Sequence, residues 1–232
     1  MRWSPAVLKK FWKYFTSKEG TDSESFIQYL NISRGASNHI RYNFRNKGHE
    51  DIKKVFEVTE EQEAEMKAYF WKIFQHYLDE TLESYDVLAL RVAEWVNRKT
   101  IYTTDKTKRN IEEYWASPYE LYREIKDYGT MKDDCDAYAV LIVYIWGLMG
   151  IPAERRFVRA GDVNTKTGKY NGGHATAIYL PYQNPINFYP LEGSYYAKET
   201  NKKFLTLPLL DNKLYGNTWF VVNEDRSYRG DV

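Results

Sequence analysis

Residues 137–153 (AYAVLIVYIWGLMGIPA) form a long, strongly apolar stretch without a charged side chain. A membrane span needs about 20 apolar residues, and this run falls short of that. Gly147, Gly150 and Pro152 interrupt it, and the last two are helix stop signals. The run therefore reads as a helix buried in a protein core. The rest of the chain can supply that core: of its 232 residues 43% are hydrophobic, including 7 Trp, 21 Tyr and 11 Phe.

Total charge is nearly balanced, with 33 Lys and Arg against 32 Asp and Glu, so it names no partner class. Its distribution is uneven, because residues 1–56 carry a net +6. Ser4-Pro5 reads as a helix start. Leu8, Phe11, Trp12 and Phe15 follow at helical spacing, with Lys9, Lys10 and Lys13 between them. Two readings fit: a helix that docks on an anionic surface or partner, or one packed on its own domain with a solvated basic face. Nucleic-acid binding would rest on the +6 alone, with no recognition motif beside it. Residues 1–20 lack the 7–15-residue apolar run of a secretory signal, so the expectation is a cytoplasmic protein without export. Residues 17–56 show no firm periodicity.

From Glu60 the pattern is helical, opened by Thr59, with Ala64, Ala68, Trp71, Phe74, Leu78 and Leu82 on one face. A second helix places Leu88, Val92, Trp95 and Val96 together. Asp105 to Asn110 reads as a polar loop, and Ala116-Ser117-Pro118 opens a helix through Leu121 and Ile125. After the apolar helix come strand-like runs at Arg155–Arg159, Ala175–Leu180, Ile186–Leu191 and Thr218–Val222. Helices followed by consecutive strands predict an α+β fold with an antiparallel sheet.

Cys135 is the only cysteine, which excludes an intrachain disulfide framework and a thiolate-rich zinc site. It stands at the start of the apolar helix, where backbone N–H groups favour a thiolate. Of four histidines only His174 lies downstream, at the head of a strand after Gly172-Gly173. The next strand ends in Glu192, so adjacent antiparallel strands could bring its carboxylate beside the imidazole. Nucleophile, base and orienting acid would then follow in that order.

Five segments in this order resemble the transglutaminase-like cysteine protease superfamily. They are Trp115-Ala116-Ser117-Pro118, Asp134-Cys135-Asp136-Ala137-Tyr138-Ala139-Val140-Leu141, Gly150-Ile151-Pro152-Ala153, His174-Ala175, and Tyr189-Pro190-Leu191-Glu192. Val96-Asn97, Ile101-Tyr102 and Asp105 fall where bacterial members have a similar upstream segment. The likeness covers roughly residues 87–195. It implies a papain-like core with the nucleophile helix packed on an antiparallel sheet, and a division into a helical extension (1–86) and a hydrolase domain (87–232). It also implies Cys135 as nucleophile, His174 as base and then acid, and Glu192 as the orienting acid. The backbone N–H of Cys135 would supply one oxyanion donor, with Trp115, Asn97 and Tyr102 as candidates for the second. The family's usual acid is Asp, so Glu192 is one methylene longer.

Asp133, Asp134 and Asp136 crowd the thiol and should raise its pKa unless they point away, cap the helix or meet a cation. Adhesin-cleaving bacterial members bind calcium through an acidic cluster here. This chain keeps Asp134 and Asp136 as calcium candidates but has Ala137 where those members have another acid. No other cofactor is expected. The functional expectation is a thiol hydrolase, a peptidase acting on protein amides through a thioacyl-enzyme. The alternative is a non-enzymatic assembly module with the same fold, such as a phage virion or scaffold component, with a partner bound through residues 1–86 and a virion location.

Overall fold

The structure, a computed structural model, describes residues 52–229 except Tyr195. The basic helix expected after Pro5 lies outside the described residues. Helix α1 (Glu60–Phe74) starts with a reciprocal capping box in which Thr59 Oγ1 accepts from the Gln62 amide and Gln62 Oε1 from the Thr59 amide. It buries Met66, Phe70 and Phe74, whereas Trp71, expected on the inner face, is 43% exposed. Packing on the next helix decides the rotation: Phe70 and Phe74 each pack edge-on against Trp95 at 5.7 Å. The helix ends at Phe74, so Leu78 and Leu82 fall beyond it, and Leu82 is 57% exposed.

Helix α2 (Glu83–Lys99) buries Leu88, Val92, Trp95 and Val96, as their spacing predicts. The division expected at 86/87 falls within this helix. Strand β1 (Thr100–Tyr102) runs parallel to β2 (Met131–Asp133), a pairing too short to leave a sequence period. Between them the expected polar loop is instead a single helical turn, α3 (Asp105–Arg109), because Thr104 caps it through the Thr107 amide. Helix α4 (Pro118–Tyr128) begins with a Ser117–Glu120 capping box, and Gly129 at φ +78° ends it.

Helix α5 (Cys135–Leu148) is the apolar helix, with every residue buried except Cys135 and Gly147. No helix among the described residues is long and apolar enough to cross a membrane. Five strands follow: β3 (Arg156–Asn164), β4 (Tyr170–Tyr179), β5 (Tyr189–Leu191), β6 (Tyr215–Val222) and β7 (Ser227–Arg229). They form an antiparallel sheet in the order β5-β4-β3-β6-β7. The fold is α+β, with α5 packed on an antiparallel sheet as the sequence predicts. The alanines Ala160, Ala175 and Ala177 share one core with α5, and their small side chains let the helix come close. That core is continuous with α1, α2 and α4, and Trp146 pins α5 to α2 through the Ala89 carbonyl at 3.1 Å. A second core built around Phe157, Ile178, Phe188 and Val221 includes Tyr196 and Tyr215. The short helix α6 (Ala197–Thr200) follows β5.

Candidate functional site

Strand β2 leads through Asp134 into Cys135, the first residue of α5. The Sγ is half-buried and accepts from the Ala175 amide at 3.5 Å, so the thiol meets β4 one residue past His174. Burial pushes this thiol well above its ordinary pKa, and the charges of Asp136 and Asp134 push it further.

His174 and Glu192, eighteen positions apart, meet directly. The register of β4 and β5 pairs Ala177 with Leu191, which sets Glu192 one step beyond the ladder. His174 Nε2 lies 2.9 Å from Glu192 Oε1, and the two residues are 4% and 1% exposed. Three further groups hold the carboxylate loop. Tyr215 donates to Oε1 and Ser194 to Oε2, each at 2.8 Å. The amide of Asn201 grips both backbone groups of Glu192, accepting from its N–H at 2.8 Å and donating to its carbonyl at 2.9 Å. Burial alone would push the Glu192 carboxyl up, but the charge and hydrogen bond of His174, with Tyr215 and Ser194, hold it below its ordinary pKa. The imidazole also meets the Tyr196 ring edge-on at 5.6 Å. The extra methylene of Glu is therefore accommodated.

The oxyanion candidates have other partners. Trp115 donates its indole N–H to Glu113 Oε1 at 2.9 Å and would have to exchange that bond. Asn97 donates to the carbonyls of Gly193 and Ser194, both at 3.0 Å, and so braces the Glu192 loop. Tyr102 is largely exposed beside Tyr138.

The three aspartates around Cys135 differ in environment. Asp133 is neutralised by Arg109 at 2.7 and 3.1 Å and by Lys108 at 3.0 Å. Asp134 is the N-cap of α5 but makes no side-chain cap bond. Its Oδ1 and that of Asp136 are buried without a hydrogen-bond partner. Asp105, which sequence reasoning had placed only in an upstream segment, completes a group whose ligand atoms lie within 4.8 Å of one another. Burial, reinforced by Asp105, Asp133 and Glu113, pushes Asp134 up to about 6 against a hydrogen bond from Asp136. Burial and Asp134 push Asp136 up as well. Three carboxylates with two orphaned oxygens and no nitrogen or sulfur donor among them fit a hard cation rather than zinc.

No protein-family model matches the chain, and a comparison with curated proteins finds no match. Among solved structures, LapG of Legionella pneumophila is similar at a TM-score of 0.46 and 15% identity over 79% of this chain and 87% of that one. An EGTA-treated LapG gives 0.47 at 14% identity, over 79% and 84% of the two chains. A calcium-bound LapG gives 0.40 at 14% identity, over 79% and 88%. A likeness this distant says nothing about substrate or activity.

Proposed function

We propose that the chain is a thiol hydrolase of the transglutaminase-like type, a peptidase acting on protein amide bonds. The observation that carries this reading is the buried His174–Glu192 pair, 2.9 Å apart, with Cys135 bound to the adjacent Ala175 amide at 3.5 Å. With Nε2 turned to Glu192, the general base toward the thiol is Nδ1 of His174. Cys135 Sγ attacks the scissile carbonyl as its proton passes to His174, and Glu192 stabilises the resulting imidazolium. The N–H at the head of α5 faces the developing oxyanion. His174 returns the proton to the leaving amine, and water resolves the thioacyl-enzyme.

Asp105, Asp134 and Asp136 would hold calcium beside this site. Bound there, the cation supplies positive charge that offsets the carboxylates flanking Cys135. The raised thiol favours the second reading, a non-enzymatic assembly module, if those carboxylates stay uncompensated. The test is to incubate the chain with denatured protein substrates in calcium and to map new N-termini by mass spectrometry. Cleavage by the wild type but not by Cys135→Ala supports the peptidase, and equal background from both excludes it.

A further inference from the structure

Behind the Glu192 loop lies an open groove of about 560 Å³, floored by apolar side chains that include Phe204 and Leu205. Arg98 from α2 and Lys198 and Lys202 from the α6 segment line it, and all three are exposed. The one carboxylate at its edge, Glu94, already pairs with Arg91 at 2.8 Å. Arg98 sits in the last turn of α2, where the helix dipole accounts for one cation. Lys198 and Lys202 stand on the facing segment, in the last turns of two very short helices. Leu205 is held at φ +63°, a left-handed conformation that a branched side chain rarely adopts and that clusters at ligand clamps. The groove also has a direct link to the candidate site. Asn97 and Asn201, which line it, both hydrogen-bond the backbone of the Glu192–Ser194 loop.

We propose that this groove is an exosite for an acidic, apolar-interspersed segment of the polypeptide substrate, a reading that rests on the peptidase assignment. Three cations over an apolar floor complement a strand alternating carboxylates with Leu or Phe. The net +6 of residues 1–56 makes that part of the chain a poor electrostatic match for the groove. A segment seated there would press on Asn97 and Asn201, and so would stiffen the loop that presents Glu192 to His174.

The test uses the full chain carrying Cys135→Ala and a fluorescein-labelled peptide of alternating Glu and Leu, followed by anisotropy. Arg98→Glu, Lys198→Glu and Lys202→Glu together should weaken binding at least about tenfold, and most of that difference should vanish at 1 M salt, where the Debye length is about 3 Å. The milder Lys198→Gln and Lys202→Gln pair should give a smaller loss in the same direction. In the Cys135 background, equal binding of a Gln-for-Glu peptide, or full binding by the triple variant, overturns the exosite. So does self-association of the chain that the triple variant abolishes, which would make the groove an interface between copies. With Cys135 intact, the triple variant should raise KM for a substrate bearing an acidic segment and leave kcat within about twofold. Hydrolysis with unchanged KM removes the exosite and leaves the peptidase. Peptide binding without hydrolysis of any substrate removes the peptidase and leaves an anionic-peptide groove.

Discussion

The imidazole of His174 and the carboxylate of Glu192 lie 2.9 Å apart with both side chains buried, one on β4 and the other just past β5. Neither strand alone encodes this contact. It follows from the register that pairs Ala177 with Leu191, and from an asparagine, Asn201, that holds both backbone groups of Glu192.

Glu192→Gln keeps the size of the side chain and removes the charge that, in the proposed mechanism, steadies the imidazolium. Turnover should fall on the order of 10–10³-fold, less than in serine triads, because a Cys–His pair can ionise before substrate arrives. Glu192→Asp withdraws the carboxylate by about 1.5 Å. His174, Tyr215 and Ser194 are all placed for the longer side chain, so Asp should lose as much as Gln. Steady-state kinetics of the two variants decide between charge and reach.

Tyr215→Phe removes a donor from Glu192 Oε1 and leaves the ring in its core. A hydrogen bond to a charged group is worth about 1.5–3 kcal/mol, and we expect that loss in denaturant unfolding at pH 7. The folded Glu192 carboxyl lies below its ordinary pKa, so this stabilisation is present above about pH 4.3 and is lost as pH falls through the folded value. The gap between variant and wild type should therefore close in acid, and a gap that stays constant across pH would show that only packing was lost.

Much of this architecture is legible in the sequence because its causes are local. The charge-free run at 137–153 gives α5, Thr59 and Ser117 mark helix starts, and Leu88, Val92, Trp95 and Val96 define the inner face of α2. The order Cys135, His174, Glu192 is equally readable. What does not show is what depends on pairing across the chain. β1 and β2 are three residues each and leave no period, and the inner face of α1 is set by where Trp95 and Tyr122 receive Phe70. Tyr215 and Asn201 reach Glu192 from 23 and 9 positions away, with no motif to flag either. Asp105 joins Asp134 and Asp136 only because α3 packs against β2.

Asp134 carries a signed pH prediction. Its pKa in the folded chain is about 6, above an unfolded value of about 3.9, so the folded state binds the extra proton between them. In chelated buffer stability should therefore fall as pH rises from about 4 to 6 at this group. Calcium at 100 times its Kd adds about 2.7 kcal/mol, or about 5–10 °C in Tm for a chain this size. Asp134→Asn with Asp136→Asn should abolish the calcium shift in a thermal melt. A calcium shift that survives both changes would place the cation elsewhere.

Gly173 precedes His174, and a Cβ there would lie 2.4 Å from the Trp219 ring. Gly173→Ala must push Trp219 or β4 aside, at a cost of about 1–3 kcal/mol. Urea unfolding should show that loss. A variant with wild-type stability would mean that the indole moves freely off the strand.

The central claim is that His174, oriented by Glu192, activates Cys135. Because Cys135 is the only cysteine, alkylation by chloroacetamide reports on this thiol alone. In calcium at pH 7 the wild type should label faster than a free thiol, and His174→Ala and Glu192→Gln should each slow the rate at least about tenfold. A wild-type rate at or below that of a free thiol, unchanged in both variants, would contradict the account.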